Sequence, residues 1–102
     1  MFLFKKIPSI STNEIERKLA EKVTIIDVRE PHEFVNGHIP GAKNVPLNKV
    51  RNYQPKGKIY VICQSGMRSK RATKELIQNG FDAVNIKGGM LRYSGATRGG
   101  KY

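Results

Sequence analysis

Between Lys58 and Ile77 the chain reads as a short apolar run, a tight six-residue turn and a helical pattern, with Cys63 at the joint. Ile59, Tyr60, Val61 and Ile62 are β-branched or aromatic, which suits a strand buried on both faces. From Ser69 onward Ala72, Leu76 and Ile77 recur at helical spacing, and Asn79-Gly80 supplies a C-terminal stop. A strand that passes into a helix through so short a turn points to a layered α/β fold.

The chain's single cysteine therefore sits where a strand ends and a helix begins. At a helix start several backbone N–H groups lack partners, and the aligned peptide dipoles add roughly half a positive charge. Arg68 brings a full one. A thiolate is favoured over a thiol in such a place, and cysteines there ionise at about 3.5–7.5 rather than 8.5. Gly66 can take a positive φ without steric cost, so the turn can bend inward and aim its amides at the sulfur or at an anion carried on it.

The remaining segments fit the same architecture. Ile7-Pro8-Ser9-Ile10 is a short extended piece. Ser11-Thr-Asn-Glu14 matches a capping box, and Ile15, Leu19 and Ala20 give an apolar face to a first helix ending near Glu21-Lys22. Val23–Val28 reads as a second buried strand. Pro31 and Gly37 bracket a short helix over Pro31–Asn36, with Phe34 and Val35 expected to face inward. His38-Ile-Pro-Gly41 is a turn, and Ala42–Leu47 holds one strand kept brief by Pro46. Leu47–Tyr53 suits another short helix, Phe81–Ile86 a further strand, and Lys87-Gly-Gly-Met90 a last helical turn. Ser94 to Tyr102 is a polar tail expected to be loosely ordered. Strands alternating with helices imply a mainly parallel sheet of four to five short strands with helices on both faces. Ligands bind such sheets at the carboxyl ends of the strands, so Asp27 and Cys63 should share one edge.

At 102 residues the chain has room for one modest core, hence one domain, with a core over about 7–95 and a basic tail over 96–102. One cysteine excludes an intrachain disulfide and a cysteine-based zinc cluster; with only His32 and His38, no metal or other cofactor is expected. A free thiol on a reactive turn fits a reducing compartment, the cytoplasm. Met1–Lys6 is apolar and then basic, the reverse of a signal peptide, and reads as a frayed end or an edge strand. No apolar run approaches a membrane span. The net charge is +11, and residues 63–102 carry 8 basic against 2 acidic side chains. That excess suits small anions or an acidic protein partner. Without aromatics interleaved among the basic residues, nucleic acid is not an expected partner, and neither is a membrane.

Several motifs together carry a resemblance: Ile26-Asp27-Val28-Arg29-Glu30, Glu33-Phe34, Gly37-His38-Ile39-Pro40-Gly41-Ala42, Asn44, Cys63-Gln-Ser-Gly66-Met-Arg68-Ser69 and Gly88-Gly89-Met90. In this order and spacing they strongly resemble the single-domain rhodaneses, the thiosulfate sulfurtransferase family, from about Ile7 to Gly95. The resemblance implies that Cys63 accepts a sulfane sulfur from a donor such as thiosulfate. It then passes that sulfur from a persulfide to cyanide in the standard assay, or to a thiol or protein in the cell. It implies an anion-binding loop of Gln64, Ser65, Gly66, Met67, Arg68 and Ser69, with Arg68 stabilising charge and holding the loop. Among the supporting residues, Asp27 is expected to hold a loop by accepting backbone donors and Arg29 to pair with Glu33. His38 is expected to fix its turn by hydrogen bonding. Many relatives have Trp where this chain has Tyr93. Residues 64, 65 and 67 are uncharged where some thiosulfate-preferring relatives are basic, so the donor stays open between thiosulfate, a small persulfide and a cysteine desulfurase.

Two other readings compete. A cysteine phosphatase or arsenate reductase would want Cys-x5-Arg, whereas Cys63 and Arg68 are spaced Cys-x4-Arg, a smaller ring suited to one sulfur atom. A sulfur carrier or delivery module would load one sulfur and hand it to a protein partner, with slow multiple turnover on small acceptors.

Overall fold

A computed structural model describes residues 6–101. The elements run β1 (Ser9–Ile10), α1 (Thr12–Lys18), a 3-10 turn (Leu19–Glu21), β2 (Thr24–Asp27), α2 (Pro31–Val35) and β3 (Lys43–Asn44). They continue with a 3-10 helix (Leu47–Asn52), β4 (Ile59–Ile62), α3 (Met67–Gln78), β5 (Ala83–Ile86) and α4 (Gly89–Arg92). The strands form one five-stranded sheet in the order β1-β5-β4-β2-β3, every pairing parallel. The expected α/β sheet is present, with β1 at the edge. The expectation for Met1–Lys6 falls outside the described residues except at Lys6.

The two-residue period of the strands divides the interior into two cores. Tyr60 and Ile62 of β4 join Ile25, Phe34, Val84 and Ile86 in one core. Ile59 and Val61 join Ile26, Val28, Ala72 and Leu76 in the other, beneath α3. Continuing that alternation one residue past β4 puts Cys63 on the α3 side, where it packs in the second core. Register pairs Asp27 with Ile62, so the ends of β2 and β4 lie side by side and Asp27 and Cys63 share the expected edge.

The expected helices form, with shifts at their faces and ends. Ser11 caps α1 by a full capping box with Glu14. Ala20 lies exposed on the 3-10 turn, and Thr12 is buried instead. Val35 and Ile77 were expected to be buried, yet both are exposed. Each follows a residue that is fully buried, Phe34 or Leu76, and one step along a helix rotates a side chain about 100° away. Helix α3 begins at Met67, two residues before the apolar pattern starts, because Gly66 takes φ 104° as its N-cap.

The tail departs from expectation as well. Arg98 and His38 exchange backbone hydrogen bonds at 2.8 and 2.9 Å, and the Gly100 N–H donates to the Val35 carbonyl at 2.9 Å. The end of α2 and the turn after it expose unpaired backbone groups, and the tail satisfies them.

Helix α4 is only four residues long, yet it fixes the start of the cysteine turn. The Met90 N–H donates to the Cys63 carbonyl at 2.9 Å and the Leu91 N–H to the Gln64 carbonyl at 3.0 Å. This approach requires Gly89. Its φ is 59°, and a Cβ there would fall on the carbonyl oxygens of Cys63 and Gln64. Gly89→Ala is expected to cost on the order of 2–4 kcal/mol, from left-handed strain plus a backbone clash. Urea unfolding measures this, and an unchanged midpoint would show that α4 does not clamp the turn.

Candidate active site

Cys63 follows β4 directly, and the chain turns over its side chain through Gln64, Ser65 and Gly66 into α3. The sulfur has two environments. Towards the sheet it packs among apolar side chains; towards the turn it meets polar groups. The Gly66 N–H donates to Sγ at 3.0 Å, and Sγ lies 3.4 Å from the Ser69 hydroxyl, to which the thiol donates. That hydroxyl donates in turn to the Gly66 carbonyl at 3.2 Å. A ring of amides from residues 64–69 was expected around the sulfur. Among the described residues one of them, Gly66, reaches it. The Cys63 side chain is 0 % exposed, so solvent does not touch it in this arrangement.

The two arginines are paired differently from the sequence expectation. Arg29, 4 % exposed, does not pair with Glu33. Its Nε and Nη2 bond the Asp27 carboxylate at 2.8–3.1 Å, Nη2 also reaches the Gly37 carbonyl at 2.8 Å, and Nη1 donates to Gln64 Oε1 at 3.3 Å. Arg29 thereby ties the end of β2 to the end of α2 and to the cysteine turn. Asp27 also accepts the Arg29 backbone N–H at 3.0 Å. Asn44 crosses from β3, its amide donating to the carbonyls of Asp27 and Arg29 at 2.9 Å each.

Glu33 belongs to Arg68. The guanidinium forks onto both carboxylate oxygens at 2.7 and 2.9 Å, and the same carboxylate accepts the Glu30 N–H at the start of α2. The Arg68 fork, helped by that amide, holds the Glu33 carboxyl down at about 2, against 4.5 for an ordinary one. Glu33 in turn pushes the Arg68 guanidinium up. Arg68 was expected to stabilise charge at the sulfur and to hold the loop; its side chain is engaged by Glu33 and fastens α2 to the first turn of α3. His38 is buried, stacks on Phe34 with ring centroids 3.7 Å apart, and donates from Nδ1 to the Phe34 carbonyl at 2.9 Å.

Sequence reasoning missed two further parts of this constellation. Gln64 serves as an anchor to Arg29, and α4 holds the carbonyls of the turn. The Gly88-Gly89-Met90 motif signalled the second, since adjacent glycines before a helical pattern mark a close backbone approach.

A family model described as "Rhodanese-like domain" matches residues 11–96. The Bacillus subtilis "Putative sulfurtransferase YtwF" is 38% identical, covering 91% of this chain and 96% of its own. The Pseudomonas putida "Thiosulfate sulfurtransferase GlpE" is 33% identical over 84% of this chain and 81% of its own. Among solved structures, a Staphylococcus aureus rhodanese-like domain protein superposes with a TM-score of 0.79 at 36% identity, over 86% of this chain and 92% of that one.

Two predictions follow from the pairing. Arg29→Ala leaves the buried Asp27 carboxylate without its partner and is expected to cost on the order of 3–5 kcal/mol in urea unfolding. Removing Asp27 as well should recover part of the loss; a double variant as unstable as the two single losses added would contradict the pairing. Glu33→Gln is expected to cost about 1 kcal/mol at neutral pH, a small figure because both side chains of the pair are partly solvated. The folded-state carboxyl is depressed, so its contribution is complete above pH 4.5 and disappears as pH falls through about 2. Wild type and variant should therefore converge in stability across that window.

Proposed function

We propose, for a chain that belongs to the rhodanese-like domain family, that Cys63 carries a sulfane sulfur between a donor and a nucleophilic acceptor. The chain is a rhodanese-type sulfurtransferase, and the observation that supports Cys63 as its centre is the Gly66 amide 3.0 Å from the sulfur. That amide stands in a turn whose carbonyls are already fixed by α4, so its dipole is preorganised rather than induced.

With thiosulfate as donor, the Cys63 thiolate attacks the outer sulfur and forms an S–S bond. The S–S bond of thiosulfate breaks, and its electron pair leaves with sulfite. The product is a Cys63 persulfide. An acceptor, cyanide in an assay or a thiol in the cell, attacks the outer sulfur. The persulfide bond then breaks and its electron pair returns to Cys63. Both halves balance in charge, and neither needs a metal, a cofactor or a second cysteine. Gln64, Ser65, Gly66, Met67, Arg68 and Ser69 form the loop around the added sulfur, with Asp27, Arg29, Glu33 and His38 as the support beneath it. A thiol this deeply covered admits a donor when the turn that passes over it, Gln64 to Gly66, shifts. The same cover shields a loaded sulfur from stray thiols, which also suits delivery to a protein acceptor.

In this reading the chain forms one such domain, with residues 96–102 as its basic tail. It works in the cytoplasm, where a lone thiol stays reduced. Among the described residues no helix is long and apolar enough to cross a membrane.

Thiosulfate or a small persulfide should add one sulfur atom to the intact mass, and cyanide should remove it as thiocyanate. Cys63→Ser is expected to lose both signals while keeping the wild-type fold by circular dichroism and a cooperative unfolding transition. Thiocyanate turnover by that variant would refute the role of Cys63.

A further inference from the structure

A concavity of about 880 Å³ lies beside the cysteine turn rather than over the sulfur. It runs along the outer side of α3 toward β1 and β5. Its apolar surface comes from Pro8, Met67, Ile77 and Phe81. Met67 opens α3 directly after the cysteine turn and is 75 % exposed, and Ile77 near the far end of α3 is 39 % exposed, so two large apolar side chains stand open along this groove. Lys6, Lys70 and Arg71 are exposed along its rim, against one acidic lining residue, Asp82.

We infer that this groove docks an extended segment of a sulfur-exchanging protein, one in which acidic residues alternate with large apolar ones. The inference rests on the sulfur-transfer reading above and assigns a surface to its macromolecular partner. Charge complementarity selects the occupant. An apolar floor within a basic rim suits apolar side chains flanked by carboxylates, and a basic or purely polar segment would be repelled or would leave the floor wet. Length is consistent as well. The ten helical steps from Met67 to Ile77 span about 15 Å, which four or five residues of extended chain cover at about 3.3 Å each. A segment lying there ends at Met67, so a thiol at its terminus arrives at the mouth of the cysteine turn. The thiolate attacks the outer sulfur of the Cys63 persulfide, the S–S bond breaks toward Cys63, and the segment leaves as the new persulfide.

The probe is the peptide acetyl-Asp-Leu-Glu-Asp-Phe-Glu-Gly-Cys, compared with a version carrying Lys at each acidic position. Binding is read by fluorescence anisotropy on the unloaded 102-residue chain, with the peptide cysteine blocked. Sulfur transfer to the free thiol is read separately by mass. The acidic peptide should bind at least tenfold more tightly than the lysine version and accept sulfur faster. Combined Lys70→Glu and Arg71→Glu should remove that preference by tenfold or more, while thiosulfate-to-cyanide turnover at saturating concentrations of both small substrates, where encounter no longer limits the rate, stays within twofold of wild type. Ile77→Glu should weaken binding without altering that turnover.

Equal binding of the two peptides, or indifference to the charge reversals, overturns the docking surface. So does a concentration-dependent dimer that the same variants abolish, or tighter peptide binding when residues 1–5 are deleted. Those results would assign the groove to a second copy or to the chain's own N-terminus. Failure of the wild type to take up sulfur at all would refute the sulfur-transfer reading instead, and the anisotropy measurement does not depend on it.

Discussion

A buried guanidinium must satisfy its donors inside the protein, and Arg29 does so with groups from three separate segments. Asp27 supplies the charge, Gly37 a backbone carbonyl and Gln64 a side-chain oxygen. The desolvation of such a charge is repaid only when the geometry is near complete. The end of β2, the end of α2 and the start of the cysteine turn are therefore held to one arrangement. Asn44 extends the same knot to β3. The site stands at the carboxyl edge of a parallel sheet, and this knot makes four neighbouring segments of that edge rigid together.

The cysteine turn is held from the other side by α4. Its first amides take the carbonyls of Cys63 and Gln64, which leaves the Gly66 amide to face the sulfur. A tight turn whose carbonyls point away has its N–H groups on the inner side, the arrangement that favours an anion. The same geometry explains the paired glycines before Met90. A side chain on Gly89 would displace the very carbonyls that orient the turn. Strand alternation, the α4 clamp and the positive φ of Gly66 act on one atom, Sγ of Cys63.

Much of this was legible before any coordinates. The apolar run of β4, the capping box of α1 and the Pro31 start of α2 are local signals, and each element formed where its signal stood. The joint between β4 and α3 placed Cys63 at the sheet edge because strand periodicity and helix starts are both short-range properties. The ion pairs were not legible. Arg29, Glu33 and Arg68 are all close to the turn, and which carboxylate each guanidinium takes depends on side-chain directions that only the packed fold decides. Asp27 won Arg29 because an i, i+2 partner at a strand end can be reached with both side chains buried. Glu33 then had Arg68 in reach, 35 residues away in sequence. The tail misled for a related reason. Its composition is that of a free end, and nothing local says that His38 needs a backbone partner.

These pairings also redistribute the meaning of the positive charge. With Arg29 matched to Asp27 and Arg68 to Glu33, the fixed charges nearest the turn are balanced pair by pair. The excess of +11 must therefore act from the surface, including Lys70 and Arg71 on α3. Surface charges guide an approaching anion over about a Debye length, roughly 8 Å at physiological ionic strength. They contribute less to an anion already enclosed by backbone. Beneath the turn, the group that faces the sulfur as a donor is a dipole held in place by packing, the Gly66 amide, while the Ser69 hydroxyl gives its proton to the Gly66 carbonyl. In the sulfur-transfer reading, salt should accordingly screen the encounter with a charged donor far more than it weakens an anion seated on Cys63, because the first depends on exposed ammonium and guanidinium groups and the second on the Gly66 amide held within the turn.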